Sequence, residues 1–351
     1  MRFCASSWSG DNTTSWDGMR GANAISLNGG MSLLQCYGHD IGGFEGPQPS
    51  PELLVRWVQY GIYSSRFAIN CFKTSPENNN VGDVIEPWMY PEIIPLIRKT
   101  IKRRYELIPY IYSLALESHL TASPPQRWTG WGYENDAEVW KNKVLTDGET
   151  QYWLGDSLLV GGSGTFEPDE TTAKTYLPKQ SNDDLGFLNL NHPFQHFEAG
   201  QWVKIDSPWE CSIPVLAKIG TGVPVGKSTQ TAAPGDSKNP ARLPTDDYRG
   251  VEIFPPPTGS NGRTFKFEWF EDDGIAAKPA ISTFSLAYSS SDSEVTVKFK
   301  HENGAFTPPW LGQIDIILPQ GDSRSVVDTS GRRLVRSQGP EGRETFRLTT
   351  S

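Results

Sequence analysis

Met31-Ser32-Leu33-Leu34-Gln35-Cys36-Tyr37-Gly38-His39-Asp40 is a mostly apolar run that closes on glycine, histidine and aspartate. A short apolar run with a polar tip reads as a buried strand leading into a loop, so an extended segment is expected over Met31 to Tyr37. Two other stretches repeat the pattern: Arg2 to Trp8 runs into Gly10-Asp11-Asn12, and Ile62 to Asn70 ends at Asn70-Cys71. The tips Asp11, Asp40 and Asn70 lie 29 and 30 residues apart, the length of one strand, one helix and two loops in a βαβ unit. Ser50-Pro51-Glu52 supplies an N-cap, a proline at the first helical position and an early acid, and Leu53, Leu54, Trp57 and Val58 follow as one apolar stripe. Repeated units of this kind imply a parallel sheet. In a parallel barrel the loops after the strands share one mouth, so the three tips would converge there. Convergent carboxylates suit acid/base chemistry. On residue type alone, Asp11-Asn12 and His39-Asp40 also read as turn formers or helix caps.

Beyond the third strand, Pro91-Glu92 opens a helical stretch with Ile94, Ile97, Ile101, Tyr105 and Ile108 on one face, expected to pack outside the sheet and to be interrupted at Pro109. From about Gln151 the texture changes to short β-rich pieces, Ser157 to Gly161, Thr175 to Leu177 and Gln201 to Ile205, which read as a β-sandwich. Lys227 to Asp246 is rich in Thr, Pro, Ala, Gly and Ser and reads as a linker or long loop. In a second β-domain, Phe265, Phe267 and Trp269 alternate with polar residues before Asp273-Gly274. Val295, Val297 and Phe299 do the same before Asn303-Gly304, and both dipeptides are expected to be hairpin turns. The run Glu271-Asp272-Asp273-Gly274 is read as that turn rather than as a calcium site.

Composition narrows the function classes. A length of 351 residues suits two or three domains. Acidic residues outnumber basic ones by 41 to 32, and the net charge of −9 disfavours nucleic acid and anionic membrane partners. No apolar run approaches a membrane span and the start shows no export leader, which favours a cytoplasmic location. Cys4, Cys36, Cys71 and Cys211 lack metal-ligand spacing and are expected as buried thiols, and the five histidines include no HExxH, so neither a metal nor any other cofactor is expected. Twelve Trp and twelve Tyr suit stacking on sugar faces, although they also fill cores.

Trp8-Ser9-Gly10-Asp11-Asn12 with Trp16 resembles the acid/base motif of glycoside hydrolase family 31, and Gly38-His39-Asp40-Ile41-Gly42-Gly43-Phe44 resembles that family's loop after the seventh barrel strand. Further similar segments are Glu52-Leu53 with Arg56-Trp57, Glu86-Pro87-Trp88, Arg104-Tyr105 with Pro109-Tyr110-Ile111-Tyr112, Gly155-Asp156-Ser157-Leu158-Leu159-Val160, and Trp269-Phe270-Glu271-Asp272-Asp273-Gly274. The resemblance implies that Asp11 is the general acid and later the general base of a retaining double displacement. It implies that Asp40 binds hydroxyls of the −1 sugar, and that Trp8 and Phe44 form apolar walls limiting water near the acid. Where most members place a histidine after the eighth strand, this chain has Asn70, which keeps hydrogen bonding but not an imidazolium charge. The family's nucleophile, an aspartate on the fourth strand, and an arginine upstream of the acid/base motif would fall before Met1.

The expected fold is therefore α/β plus all-β: the C-terminal part of a (β/α)8 TIM barrel over residues 1–122, a connecting segment over 123–149, a proximal β-sandwich over 150–228, and a linker with a distal β-sandwich over 229–351. The expected function of the parent enzyme is hydrolysis of terminal α-linked sugars, with an α-glucoside, α-xyloside, α-galactoside or sulfated sugar as substrate. Transglycosylation and lyase chemistry also occur in the family. The chain alone, without the nucleophile, is expected to be inactive, with the N-terminal half of the same enzyme as its partner. The alternative is a non-catalytic carbohydrate-binding or assembly fragment, and an activity assay separates the two.

Overall fold

The computed structural model describes residues 6–72, 84–191, 195–229, 246–339 and 343–350. They divide into two compact units: Met1–Ile101, Ser118–Asn191 and His196–Lys218 in the first, Lys102–Glu117, His192–Gln195 and Ile219–Ser351 in the second.

The first unit opens with three parallel strands in the order of the chain, β1 (Ser7–Trp8), β2 (Tyr37–Asp40) and β3 (Arg66–Ala68). Helix α1 (Trp16–Met31) joins the first pair and α2 (Pro51–Gly61) the second. The helices start where capping chemistry permits. Ser15 Oγ accepts from Gly18 N at 2.9 Å, and Ser50 Oγ accepts from Leu53 N at 3.2 Å ahead of Pro51. Two expectations shift here. The second strand begins at Tyr37, because α1 runs through Met31 and a turn at Leu33, with φ of 66°, separates them. The third strand begins at Arg66, because the turn leaving α2 occupies Ile62 to Ser65.

The same unit carries an antiparallel sheet of six strands, β4 (Gln126–Arg127), β5 (Gln151–Leu154), β6 (Leu158–Gly161), β11 (Val215–Lys218), β8 (Phe187–Asn189) and β9 (His196–Phe197) in spatial order, and a ladder of β7 (Thr172–Leu177) with β10 (Gln201–Asp206). Trp153, Leu159, Phe187 and Leu216 from the sheet and Leu177, Val203 and Ile205 from the ladder share one core. Tyr133 stacks on Trp153 at 5.6 Å and 2° within it.

In the second unit, β12 (Gly222–Val225), β13 (Gly250–Ile253), β17 (Gln313–Ile317), β20 (Glu344–Thr349) and β19 (Val335–Gln338) form one sheet. The other holds β14 (Phe265–Glu271), β15 (Ser282–Ser290), β16 (Glu294–Asn303) and β18 (Ser325–Asp328). Val251, Ile316 and Phe346 meet Trp269, Phe284, Val297 and Val326 in the sandwich core. Both sheets are mixed, since β13 with β17 and β16 with β18 run parallel.

Neither expected hairpin dipeptide makes a two-residue turn. Glu271 pairs with Ser282, so Asp273-Gly274 lies in a longer loop, where Asp272 and Asp273 accept backbone N–H groups of Gly274, Ile275 and Ala276. At Asn303-Gly304 the chain leaves for β17 in the other sheet.

Helix α3 (Ile94–Thr121) continues through Pro109 instead of stopping there, and its Lys102–Glu117 stretch groups with the second unit, not with the parallel sheet. Arg103 makes two bonds of 2.7 and 2.8 Å to buried Glu252, and Gly226 N donates to the Glu106 carbonyl at 2.8 Å. These ties stabilise a helix that lacks the Pro109 N–H.

The cysteine expectation is corrected as well: Cys211 is exposed and Cys36 and Cys71 are half-buried, while Cys4 lies outside the described residues. Most of the expected linker, residues 230–245, also lies outside them. Among the described residues no helix is long and apolar enough to cross a membrane.

Candidate active site

Strand register sorts the side chains of the parallel sheet. Trp8 pairs with Gly38, Gly38 with Arg66, and Asp40 with Ala68, so with a period of two Trp8, Asp40 and Arg66 share one face while His39 and Phe67 take the other. His39 is fully buried against α2: Trp57 Nε1 donates to its Nδ1 at 2.9 Å, and its ring stacks near Tyr60 at 6.3 Å. Burial, reinforced by the Arg66 charge, lowers His39 to about 4. An acceptor role for Nδ1 leaves the proton on Nε2 of the neutral ring. With α2 covering the His39 face, Asp40 and Arg66 are turned to the opposite one, the side that becomes the interior of a closed parallel barrel. Gly38 permits the close pairing, because a Cβ there would stand 2.3 Å from the Arg66 carbonyl oxygen.

The loops beyond the three strands are laced together at the strands' C-terminal ends. Phe44 N donates to Asn12 O at 2.7 Å, Thr14 N to Glu45 O at 2.8 Å, Thr14 Oγ1 to Gly42 O at 3.0 Å, and Phe72 N to Phe44 O at 3.0 Å. Asn12 is central: its Oδ1 accepts from Ser9 Oγ at 3.1 Å, and its Nδ2 reaches the Asp40 carbonyl at 3.4 Å. Gly43 adopts φ of 90° against Thr14, whose Oγ1 would lie 2.3 Å from a Cβ, so a larger residue would push the first two loops apart.

Within this frame Asp40 is completely buried, with Arg66 Nη1 3.7 Å from its Oδ1. Neither carboxylate oxygen makes a hydrogen bond of standard geometry among the described residues. Burial raises the Asp40 carboxyl above its usual range. Arg66 and the nearby Asn70 side chain pull against that rise, and the Asp11 charge adds to it. Asp11 is exposed in the loop after β1.

Asp40 closes β2, and Asp11 and Asn70 lie just beyond the C-terminal ends of β1 and β3, the flanking strands of the same parallel sheet, whose following loops bond to one another. Trp8 is 46% exposed on the Asp40 face, and Phe44 is half-buried and stacked on Phe72 at 6.5 Å. Sequence reasoning missed Arg66 and Asn12. Arg66 could have been found by writing the three strands in register. Asn12 makes its bonds across loops, which no local pattern shows.

A parallel α/β sheet with carboxylates gathered on the loops after its strands is the layout of an α/β-barrel enzyme. Residues 1–114 match the family model for the glycosyl hydrolases family 31 TIM-barrel domain, and residues 122–222 match that for the family 31 C-terminal domain. The chain belongs to glycosyl hydrolase family 31. It is 33% identical to human neutral alpha-glucosidase C over 63% of its own length and 22% of that protein's, and 27% identical to human neutral alpha-glucosidase AB over 97% and 32%. Among solved structures, a family 31 dextranase of Flavobacterium johnsoniae complexed with isomaltotriose superposes with a TM-score of 0.72 at 22% identity, covering 99% of this chain and 43% of the dextranase. The chain therefore spans between about a fifth and two fifths of the length of these relatives, 22% to 43%.

Proposed function

We propose that this chain carries the acid/base side of a retaining α-glucosidase active site, with Asp11 as the proton donor to the glycosidic oxygen. The observation that carries this reading is the pairing of an exposed carboxylate with a sealed one on mutually bonded loops. Asp11, open to solvent, can exchange protons with a leaving group and with water. Asp40, held beside Arg66 at 3.7 Å, offers charged acceptors to sugar hydroxyls. Trp8 on the same face gives the pyranose ring an apolar wall, Phe44 flanks the mouth, and Asn70 can both donate to and accept from a hydroxyl.

A retaining mechanism also needs a nucleophilic carboxylate roughly 5 Å from the acid, and in this reading a segment outside these 351 residues supplies it. The chain alone would then bind glycan without turning it over. The α-glucosidase names of the relatives support α-glucosides as the substrate class.

The experiment is co-expression with the preceding barrel half of a family 31 relative. The isolated chain should be inert toward aryl α-glucosides, and the reassembled enzyme should turn over. In it, Asp11→Asn should cost about 10²- to 10⁴-fold on a disaccharide, the usual span for a lost general acid, and much less on a glycoside of an acidic phenol, whose departure needs little protonation. Undiminished disaccharide hydrolysis by Asp11→Asn would sink the assignment. Turnover by the isolated chain would show that the second carboxylate lies within it.

A further inference from the structure

Away from the parallel strands, the first unit places three tryptophans, Trp128, Trp131 and Trp140, within thirteen positions. Trp140 lies on the short helix α4 (Ala137–Lys141) and is 55% exposed, an unusual setting for the largest apolar side chain. Its ring is not free to swing. Trp140 Nε1 donates to the Glu134 carbonyl at 2.8 Å, and the ring packs on Trp128 at 4.8 Å and 58°. Trp128 is pinned in turn, with Nε1 donating to Leu145 O at 2.7 Å and its ring against the small core of Val139, Leu145 and Tyr176. Asp136 fixes the helix start by accepting from Glu138 N at 3.0 Å, and also accepts from Tyr176 Oη at 2.8 Å.

Core formation accounts for Trp128 but not for Trp140, whose outer surface faces water although its polar edge is already satisfied. Such a ring is a prepaid surface, rigid and desolvated at little cost when a flat partner arrives. The exposed residues flanking it in sequence are mostly polar, Glu134, Asn135, Lys141 and Lys143, with Ala137 and Val144 as small apolar exceptions. An apolar helix or sheet face would find little beyond one ring and the small side chains of Ala137 and Val144 to cover, and would strip water from the charged neighbours. A pyranose fits better, because its C–H face stacks on an indole while its equatorial hydroxyls reach outward to carboxylate, amide and ammonium groups.

We propose that Trp140, backed by Trp128, is a second glycan platform that stacks one ring of an α-glucan chain, carried by different elements from the mouth around Asp11 and Asp40. The choice of α-glucan as ligand rests on the function proposed above; the platform itself rests on the geometry of the two rings. It would hold a polymer on the protein while its end is processed, raising local substrate concentration without touching the reacting bond.

The test is binding by the intact 351-residue chain, measured by affinity electrophoresis in dextran and by titration calorimetry with maltoheptaose, with cellohexaose as the comparison sugar. The chain should be retarded by dextran or bind maltoheptaose, more tightly than cellohexaose. In an Asp40→Asn background, which removes binding at the Asp40 site, Trp140→Ala should weaken the remaining binding about tenfold or more, with an unchanged circular dichroism spectrum, whereas Trp140→Phe, which keeps a stacking face, should stay within about threefold of that background. The proposal is overturned if the Asp40→Asn chain binds neither α-glucan, if adding Trp140→Ala leaves that binding unchanged, or if the Phe variant loses binding as completely as the Ala variant. These outcomes are read in binding by the chain alone, whereas the acid/base reading is tested by turnover of the reassembled enzyme, so either can fail without the other.

Discussion

Replacing Asp40 by asparagine keeps the shape of the side chain and removes its charge, and the site geometry sets the expected sign. Asp40 is fully buried, and its one close opposite charge is Arg66, 3.7 Å away and a quarter exposed. At the effective dielectric that suits protein interiors, an ion pair at this 3.7 Å separation is worth about 4 kcal/mol. Burying a carboxylate costs several kcal/mol, and the Arg66 charge and the nearby Asn70 side chain offset it only in part. The raised carboxyl says that burial outweighs the attraction. The charged form therefore costs stability: as pH rises from the unfolded-state value of Asp through the higher folded one, the native state binds more protons than the unfolded state and stability falls. Asp40→Asn should escape that loss. Near neutral pH it should be more stable than the parent by on the order of 1 kcal/mol, a few degrees in melting temperature, while losing glycan binding at the mouth. The difference should shrink as pH falls through the Asp40 transition, where the parent is neutral too. Urea titrations of both chains at several pH values provide the measurement. An Asp40→Asn chain that is less stable at neutral pH would show that the Arg66 pair holds the fold together, and a gain independent of pH would show that charge burial is not its source.

Two further outcomes bear on the same frame. Trp57→Phe removes the donor to His39 Nδ1 and leaves a buried acceptor unpaired, which should cost about 1–3 kcal/mol in denaturant titrations; with the folded His39 near 4, below its unfolded value, the parent should also lose up to about 3 kcal/mol as pH falls from 6.5 toward 4, a loss that His39→Gln should reduce. Gly38→Ala would set a methyl 2.3 Å from the Arg66 carbonyl, so the parallel strands must separate, at a cost of more than about 2 kcal/mol, read by melting, and with loss of the Asp40-dependent part of glycan binding, read by calorimetry in a Trp140→Ala background.

How far these features could be read from sequence depends on what holds each one. Helix α2 was legible because Ser50, Pro51 and Glu52 mark its start and its apolar stripe is locally complete. Helix α1 was not, because Gly18, Gly21, Gly29 and Gly30 weaken its propensity and it is held by tertiary burial, with Asn23 Nδ2 donating to Gly148 O at 2.7 Å. That hidden helix consumed the start of the expected second strand. The polar tip survived the shift: Asp40 still ends the strand, although the strand's start moved from Met31 to Tyr37. In the second unit, Asp273-Gly274 and Asn303-Gly304 have the composition of two-residue turns, yet strand pairing decided otherwise: Glu271 is opposite Ser282, and the partner after Asn303 lies in another sheet. Dipeptide chemistry reports which conformations are inexpensive, and only the register reports which strands the turn must join.

The site shows the same division from the functional side. Asp11, Asp40 and Asn70 stand out because a polar residue after an apolar strand has no role in the core, so its position alone draws attention. Arg66 opens a strand, where a charge usually faces solvent, and its meaning appears only when register puts it on the Asp40 face. Asn12 looks like a turn residue and is one, but its amide and carbonyl also bond to Asp40 O and Phe44 N, so a local turn former fixes the distance between two loops. The consequence is an order of dependence. Gly38 lets β2 approach β3, that approach aligns Asp40 with Arg66, and Asn12 with Gly43 locks the loop bearing Asp11 against the loop that follows Asp40. A carboxylate whose burial is only partly offset by Arg66 and Asn70 lowers the stability of the free chain, and further hydrogen bonds, such as those a sugar's hydroxyls can supply, would relieve it.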